Sequence, residues 1–350
     1  MKKYKVGVCG YFGGSETLLN GQTVKTKILT EELKRRFGPE NVFCVDSSRI
    51  NRRAPKILAD SLYAGSSCEN IVFLPAQNGV RVFVPLFCFL KKIFDCRLHY
   101  AVVGGWLPEY IQERPALERK LKTLDCIYPE TASMKDALCG RGFSNVVVMP
   151  NCKRLQSLTA EDLNRSIPEN GQPLRLCTFS RVMEEKGIGD AVTAVSRVNE
   201  RYGTTVCTLD IFGQVEAGQK DWFDQLQSAF PKGIRYCGLV PFDRSVQTLK
   251  NYDALLFPTW YKGEGHAGTL IDAYASGLPV ISSDWKYNPE MVRPGVTGFL
   301  YPAKDVAALA DRIASLVDDP SVLPRMREAC LAESRNYSPE RVIGILADRL

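Results

Sequence analysis

The chain has only two histidines, His99 and His266, and none of its 12 cysteines forms a Cys-x-x-Cys pair. A zinc site built from the usual His and Cys ligands is therefore not expected. No window reaches the roughly 18 consecutive apolar residues of a membrane-spanning helix. Low-complexity tracts and repeats of solenoid length are also missing. The opening Met1-Lys2-Lys3-Tyr4-Lys5 has the charge of a secretory leader, but the apolar run behind it is too short. A first strand, Val6 to Cys9, running into a glycine loop fits it better. Twelve scattered thiols in a chain without such a leader point to the reducing cytoplasm. No recognised nucleic-acid motif accompanies the basic residues, so nucleic acid is not an expected partner.

What is present is a core-forming α/β pattern. At 350 residues and 45% apolar composition, two domains of ordinary size can each bury a core. Short apolar runs alternate with helical spacing. In the first half the predicted strands are Val6–Cys9, Asn41–Val45, Ile71–Leu74, Leu98–Val103, Cys126–Tyr128 and Val146–Met149. In the second they are Leu174–Phe179, Val206–Phe212, Ile234–Cys237, Ala254–Phe257 and Val280–Ser282. Such alternation predicts two doubly wound parallel sheets. Residues 1–155 are expected to form one domain and 156–338 a second, with a polar linker at 166–173. A helix over 339–350 is expected to pack back on the first domain. Two such halves imply a deep interdomain cleft and a hinge.

Charge is divided between these halves. Residues 1–155 hold 24 Lys/Arg against 14 Asp/Glu, and residues 156–350 hold 21 against 25. A basic half suits an anionic membrane surface or a phosphate-bearing acceptor; ordinary surface scatter is the alternative. Residues 80–94, VRVFVPLFCFLKKIF, admit two readings. One is a helix lying in a membrane interface. The other is a helix packed on the first sheet, which its all-round apolarity favours.

The chemistry concentrates in residues 257–284. A buried strand ends at Phe257-Pro258, and a glycine-rich loop carries Glu264 and His266. A helix opens near Gly268-Thr269 and stops at Gly277. The loop therefore lies at the carboxyl edge of a sheet, where open α/β folds bind ligands, beside a helix start whose free N–H groups suit phosphate. Gly263 and Gly265 allow close backbone approach to a ligand, and Glu264 can accept from sugar hydroxyls. Asp272 can accept from paired ribose hydroxyls, or simply complete a capping box with Thr269. His266 can donate to a phosphate or sugar oxygen, or replace an aromatic packing residue. Ser180-Arg181 follows a strand and Lys186-Gly187 opens the next helix, so two cations stand where a diphosphate would bind. Gly13-Gly14 can bring backbone close to a ligand or make a plain turn. Gly105-Trp106 offers a ring for stacking on a sugar or for interdomain packing. His99, at the start of a strand, is read as structural.

In order and spacing these blocks, with Ala275-Ser276-Gly277-Leu278-Pro279-Val280, resemble the family-4 glycosyltransferases of the GT-B fold. The likeness runs over nearly the whole chain and looks like a branch of bacterial surface-polysaccharide assembly. The resemblance implies that Arg181 and Lys186 bind the donor diphosphate and neutralise the departing nucleotide. It implies that Glu264 holds the donor sugar near its reacting carbon. Ala267, Gly268 and Thr269 would cap the phosphates, with Ser180, Gly13 and Gly14 alongside. Gly213 and Gly238-Leu239-Val240 would lie around the base. Asp272 stands where the family usually has Glu, and His266 departs from its usual aromatic. Transfer from such a donor needs leaving-group stabilisation above all, which Arg, Lys and a helix N-terminus supply. The expected activity is therefore a retaining, metal-independent transfer of a hexose from a nucleotide diphosphate sugar, a UDP-sugar in the first instance. No cofactor is expected. The expected acceptor is a lipid-linked or surface glycan, met by a cytoplasmic protein peripheral to the inner face of the membrane. A non-catalytic nucleotide-sugar-binding scaffold and a GT-B sugar-nucleotide epimerase are the rival readings. Donor hydrolysis by the pure protein separates the scaffold from the enzymes, and an epimerase needs no added acceptor.

Overall fold

The computed structural model describes residues 2–13, 21–48, 50–159, 161–163 and 172–350. The chain divides into two compact units. One comprises residues 1–154 with Gly263–His266 and Tyr337–Leu350; the other comprises Leu155–Lys262 and Ala267–Asn336.

The first unit holds strands β1 (Tyr4–Gly10), β2 (Val42–Asp46), β3 (Cys68–Phe73), β4 (Arg97–Ala101) and β5 (Cys126–Tyr128). All are parallel, in the order β2-β1-β3-β4-β5. Its helices before the second unit begins are α1 (Gly21–Phe37), α2 (Ile50–Ser67), α3 (Gln77–Ile93), α4 (Leu107–Tyr110), α5 (Pro115–Leu121) and α6 (Ala132–Cys139). The second unit holds β6 (Leu174–Phe179), β7 (Cys207–Phe212), β8 (Ile234–Gly238), β9 (Ala254–Phe257), β10 (Val280–Ser283) and β11 (Gly298–Tyr301). They too are parallel, in the order β11-β10-β9-β6-β7-β8. Between them run α7 (Ile188–Tyr202), α8 (Lys220–Ser228), α9 (Ser245–Leu249), α10 (Gly268–Ala275) and α11 (Asn288–Met291). Then follow α12 (Val306–Asp318) and α13 (Leu323–Ser334), and α14 (Pro339–Ala347) returns to the first unit. There Val342, Ile343 and Leu346 join the core cluster that includes Ile28, Leu29 and Leu33 of α1. The chain is thus α/β with two Rossmann-like parallel sheets.

Three sequence expectations change. Val146–Met149 is not a ladder strand: it makes one bridge, Ile127 to Val146. Backbone bonds do run from Val147 N to Ile127 O (3.0 Å) and from Met149 N to Pro129 O (2.9 Å), but β5 is only three residues long and offers little to pair with. Strand β11 was not anticipated. Four residues long, it begins at Gly298 behind the turn at residues 295–297 and lies at the sheet edge. The expected linker at 166–173 falls, except for Gln172 and Pro173, outside the described residues.

Residues 80–94 fall within α3. Its Val80, Phe83, Val84, Phe87 and Leu90 are buried, so the packing reading accounts for one side of this helix. No helix among the described residues is long and apolar enough to cross a membrane.

Candidate active site

In the second sheet the strand order reverses at β6, which lies between β9 and β7. The carboxyl ends of β6 and β9 therefore flank the switch point at which open α/β sheets take ligands. Ser180 and Arg181 follow β6, and Gly213 follows β7. Gly238 ends β8, with Leu239 and Val240 just beyond. Backbone bonds lace these ends together: Ser180 N donates to Phe212 O (3.2 Å) and Gly213 N to Gly238 O (2.9 Å). A Cβ on Gly213 would lie 1.7 Å from Ser180 O, and its φ is +138°. No side chain fits where the two strand ends meet.

Arg181 is half exposed and pairs with Glu216 at 2.9 Å. Its guanidinium carbon lies 5.3 Å from the centre of the Tyr261 ring. Lys186 is buried, with Nζ 5.0 Å from the same ring and 5.7 Å from that of Phe257. The structure thus gathers both cations around Tyr261, which sequence reasoning missed. An aromatic four residues past the end of β9 was the available signal.

Helix α10 starts at Gly268 behind Ala267, and no side chain caps its first turn. The expected capping box does not form. Thr269 lies inside the helix, where its hydroxyl donates to Phe179 O at 2.8 Å and ties α10 to the end of β6. Asp272 is 1% exposed, and its Oδ1 accepts from the Ser245 hydroxyl of α9 at 3.0 Å. The carboxylate is thus held in place by α9 at the start of the site.

The loop Gly263–His266 belongs to the first unit. Glu264 and His266 are both buried there. His266 N donates to Glu130 Oε2 (3.1 Å), and His266 O accepts from Asn151 Nδ2 (3.2 Å). Glu130 Oε1 in turn takes the Lys25 ammonium at 2.5 Å, and Lys25 also donates to Val102 O at 2.7 Å. Both partners are 4% exposed. A Cβ on Gly265 would meet Glu130 Oε2 at 2.7 Å and the Gly104 backbone at 2.9 Å. The loop that carries Glu264 is therefore seated on a buried ion pair. The residue types gave a faint sign of this, because Lys25 interrupts the apolar stripe of α1 and Glu130 lies two residues past β5.

His266 packs its ring edge-on against Tyr337, with centroids 5.0 Å apart, while Nδ1 is buried without a partner. This geometry is that of a packing residue. Gly13 has φ +82° and is buried; Gly14 lies outside the described residues. Gly105 is buried and Trp106 half-buried. The indole donates to Val103 O at 2.7 Å and stands edge-on to Tyr110. Gly105 and Trp106 are brought beside Gly263 and Gly265 through Gly104.

Both histidines are held neutral. Burial pushes His266 down to about 3, with the Lys25 ammonium adding to the effect. Burial likewise lowers His99 to about 4; its Nδ1 lies 3.1 Å from the Tyr128 hydroxyl. In the unfolded chain both titrate near 6.5, so the unfolded state binds protons first as pH falls. Their contribution to stability is complete above pH 6.5 and is lost progressively toward the folded values, at about 1.4 kcal/mol per group and pH unit. Between pH 7 and 5, where carboxylates stay ionised, stability should drop by about 4 kcal/mol in total. His99→Phe should roughly halve the slope of melting temperature against pH. A flat profile over that window would contradict this account.

Each unit is built on a parallel-sheet Rossmann-like domain, as in proteins of the GT-B fold. The crystal structure of Anabaena Alr3699/HepE in complex with UDP aligns with a TM-score of 0.75 and 15% identity, over 99% of each chain. Sucrose-phosphate synthase from Thermosynechococcus elongatus aligns with a TM-score of 0.76 at 15% identity, over 99% of this chain and 98% of that one. At such identity these likenesses establish the fold. Residues 173–319 match the family model described as glycosyl transferases group 1, a span that includes Arg181, Lys186, Glu264 and Asp272. The amylovoran biosynthesis glycosyltransferase AmsK of Erwinia amylovora is 31% identical over 148 residues, which are 40% of this chain and 35% of that protein. The chain spans between 35% and 47% of the length of several curated relatives that it matches.

Proposed function

We propose that the protein is a retaining, metal-independent glycosyltransferase. It moves a hexose from a UDP-sugar to a lipid-linked or surface polysaccharide acceptor at the cytoplasmic face of a membrane. The observation that carries this reading is the placement of Arg181 and Lys186 around Tyr261 at the switch point of β6, inside the stretch that matches group 1 glycosyl transferases. UDP in the structurally similar HepE complex supports uridine as the base. In this mechanism the donor diphosphate takes Arg181 from Glu216 and sits over the uncapped start of α10. Arg181, Lys186 and the helix N–H groups stabilise the charge that develops as the nucleotide leaves. Asp272 serves the ribose, and Gly213 with Gly238, Leu239 and Val240 borders the base. Glu264 orients the sugar, and the leaving phosphate takes the acceptor proton at the same face. Gly105 and Trp106 are candidates for the acceptor side.

Thermal shift with UDP, GDP, ADP and their common sugar conjugates tests the donor. A ligand bound only by the folded protein raises stability by about 2.7 kcal/mol at a hundred times its Kd. A shift confined to uridine nucleotides is expected, with the largest from one sugar conjugate. Arg181→Ala should weaken UDP by roughly 10- to 150-fold, the loss of a hydrogen bond to a charged group worth about 1.5–3 kcal/mol. Unchanged affinity would remove Arg181 from the phosphate site, and a shift with guanine or adenine nucleotides alone would overturn the UDP assignment.

A further inference from the structure

We infer that the outward face of α2 and α3 is the surface by which this protein lies on an anionic lipid bilayer. The inference rests on the peripheral attachment proposed above and names the surface responsible. Helix α3 is apolar on both sides. Opposite its buried stripe, Val82, Phe89 and Ile93 are 49%, 59% and 55% exposed. With the half-buried Pro85 they recur at spacings of three, four and four, which is one line along a helix. On α2, Leu58 and Leu62 are 47% and 41% exposed. The last turns of the two helices abut: a Cβ on Gly65 would lie 3.0 Å from the Phe94 ring and 3.5 Å from Leu90 Cβ. Counting Tyr63, six of the nine large apolar side chains exposed among the described residues stand on these two helices. Scattered exposure needs no explanation, but a patch gathered on adjacent helices marks a docking face.

The rim decides what docks. Arg81 and Lys92 border the stripe on α3. Arg119 and Lys120 border it from α5, where the Cys88 thiol reaches Lys120 O at 3.7 Å. None of these four has an acidic partner among the described residues. The nearby acids are largely neutralised: Asp60 by Lys56 (3.2 Å), Asp125 by Lys91 (2.6 Å) and Glu118 by Lys122 (3.0 Å). Among the described residues of α2 to α5, Asp95 and Glu113 remain as exposed acids without such a partner. An apolar line flanked by excess cations is the pattern of a surface that inserts shallowly among anionic headgroups. A second copy of the chain fits less well, because twofold pairing would set these cations against each other.

The test is co-sedimentation of the full chain with phosphatidylcholine vesicles and with vesicles holding 30% phosphatidylglycerol, at low and high salt. The native chain should bind the anionic vesicles, at least tenfold more weakly without phosphatidylglycerol or at high salt. Phe89→Ser/Ile93→Ser should lower that binding at least tenfold while melting temperature and UDP affinity hold. Lys92→Glu/Lys120→Glu, purely on the surface, should do the same if the apolar variant folds poorly. Equal binding by native and variant chains would overturn this face and leave attachment by another surface standing. No vesicle binding by the native chain would overturn both the face and the membrane part of the proposed function, while transfer from a UDP-sugar would still be judged by the nucleotide panel. A dimer seen by light scattering in the native chain and lost in the variants, without vesicle binding, would make the face a self-association surface and overturn the inference.

Discussion

Lys25→Met should lower the stability of the first unit by about 3–5 kcal/mol, the cost of stripping one partner from a buried ion pair. Glu130 would be left with its charge 4% exposed and only the His266 N–H to meet it. Val102 O would lose its donor as well. For a unit of this size the melting temperature should fall by on the order of 10 °C. Glu130→Met alone should cost a similar amount, because the ammonium is then the stranded charge. The double variant Lys25→Met/Glu130→Met is the informative one. It removes both charges and leaves only the neutral Val102 O and His266 N–H short of partners, so its loss should be well below the sum of the two singles. Additive losses would show that the two side chains stabilise the fold independently and do not act as a pair. Because two units unfold, the transition assigned to the first must be followed by a local probe, such as the fluorescence of Trp106.

That pair also shows where sequence reading stops. The partners are 105 residues apart, and no periodicity links a lysine in α1 to a glutamate after β5. By contrast, Leu174–Phe179 and Ala254–Phe257 are strands to the residue as expected. Parallel strands buried on both faces read as unbroken apolar runs. Edge elements fail that test: β11 is short, begins with glycine and alternates weakly. Local motifs fail when a tertiary contact outbids them. Thr269 and Asp272 have capping-box spacing, but the hydroxyl finds Phe179 O and the carboxylate finds Ser245. The apolar run of residues 80–94 poses the same difficulty differently. Its composition favoured burial, and only the fold separates the side that enters the core from the side that does not.

Glu264→Ala should abolish measurable sugar transfer, and Glu264→Gln should reduce kcat by about 10²–10³-fold, the usual loss when one preorganised polar contact to the reacting group is removed. UDP affinity should stay within a few fold, since the proposed diphosphate contacts are Arg181, Lys186 and the start of α10. The split between kcat and nucleotide binding is what marks Glu264 as acting on the sugar. A parallel loss of UDP binding would place it at the phosphates, and turnover like the native chain's would remove it from the reaction. Gly265→Ala offers an independent approach to the same loop. Its added methyl would collide with Glu130 Oε2 and the Gly104 backbone, so the loop must move although Glu264 itself is intact. Its kcat should fall with UDP affinity unchanged, as in Glu264→Gln. If displacing the loop left turnover untouched while Glu264→Ala abolished it, the carboxylate would matter but its seating on the Lys25–Glu130 pair would not. If both variants lost turnover alike, that buried pair would be part of how the protein keeps Glu264 in place.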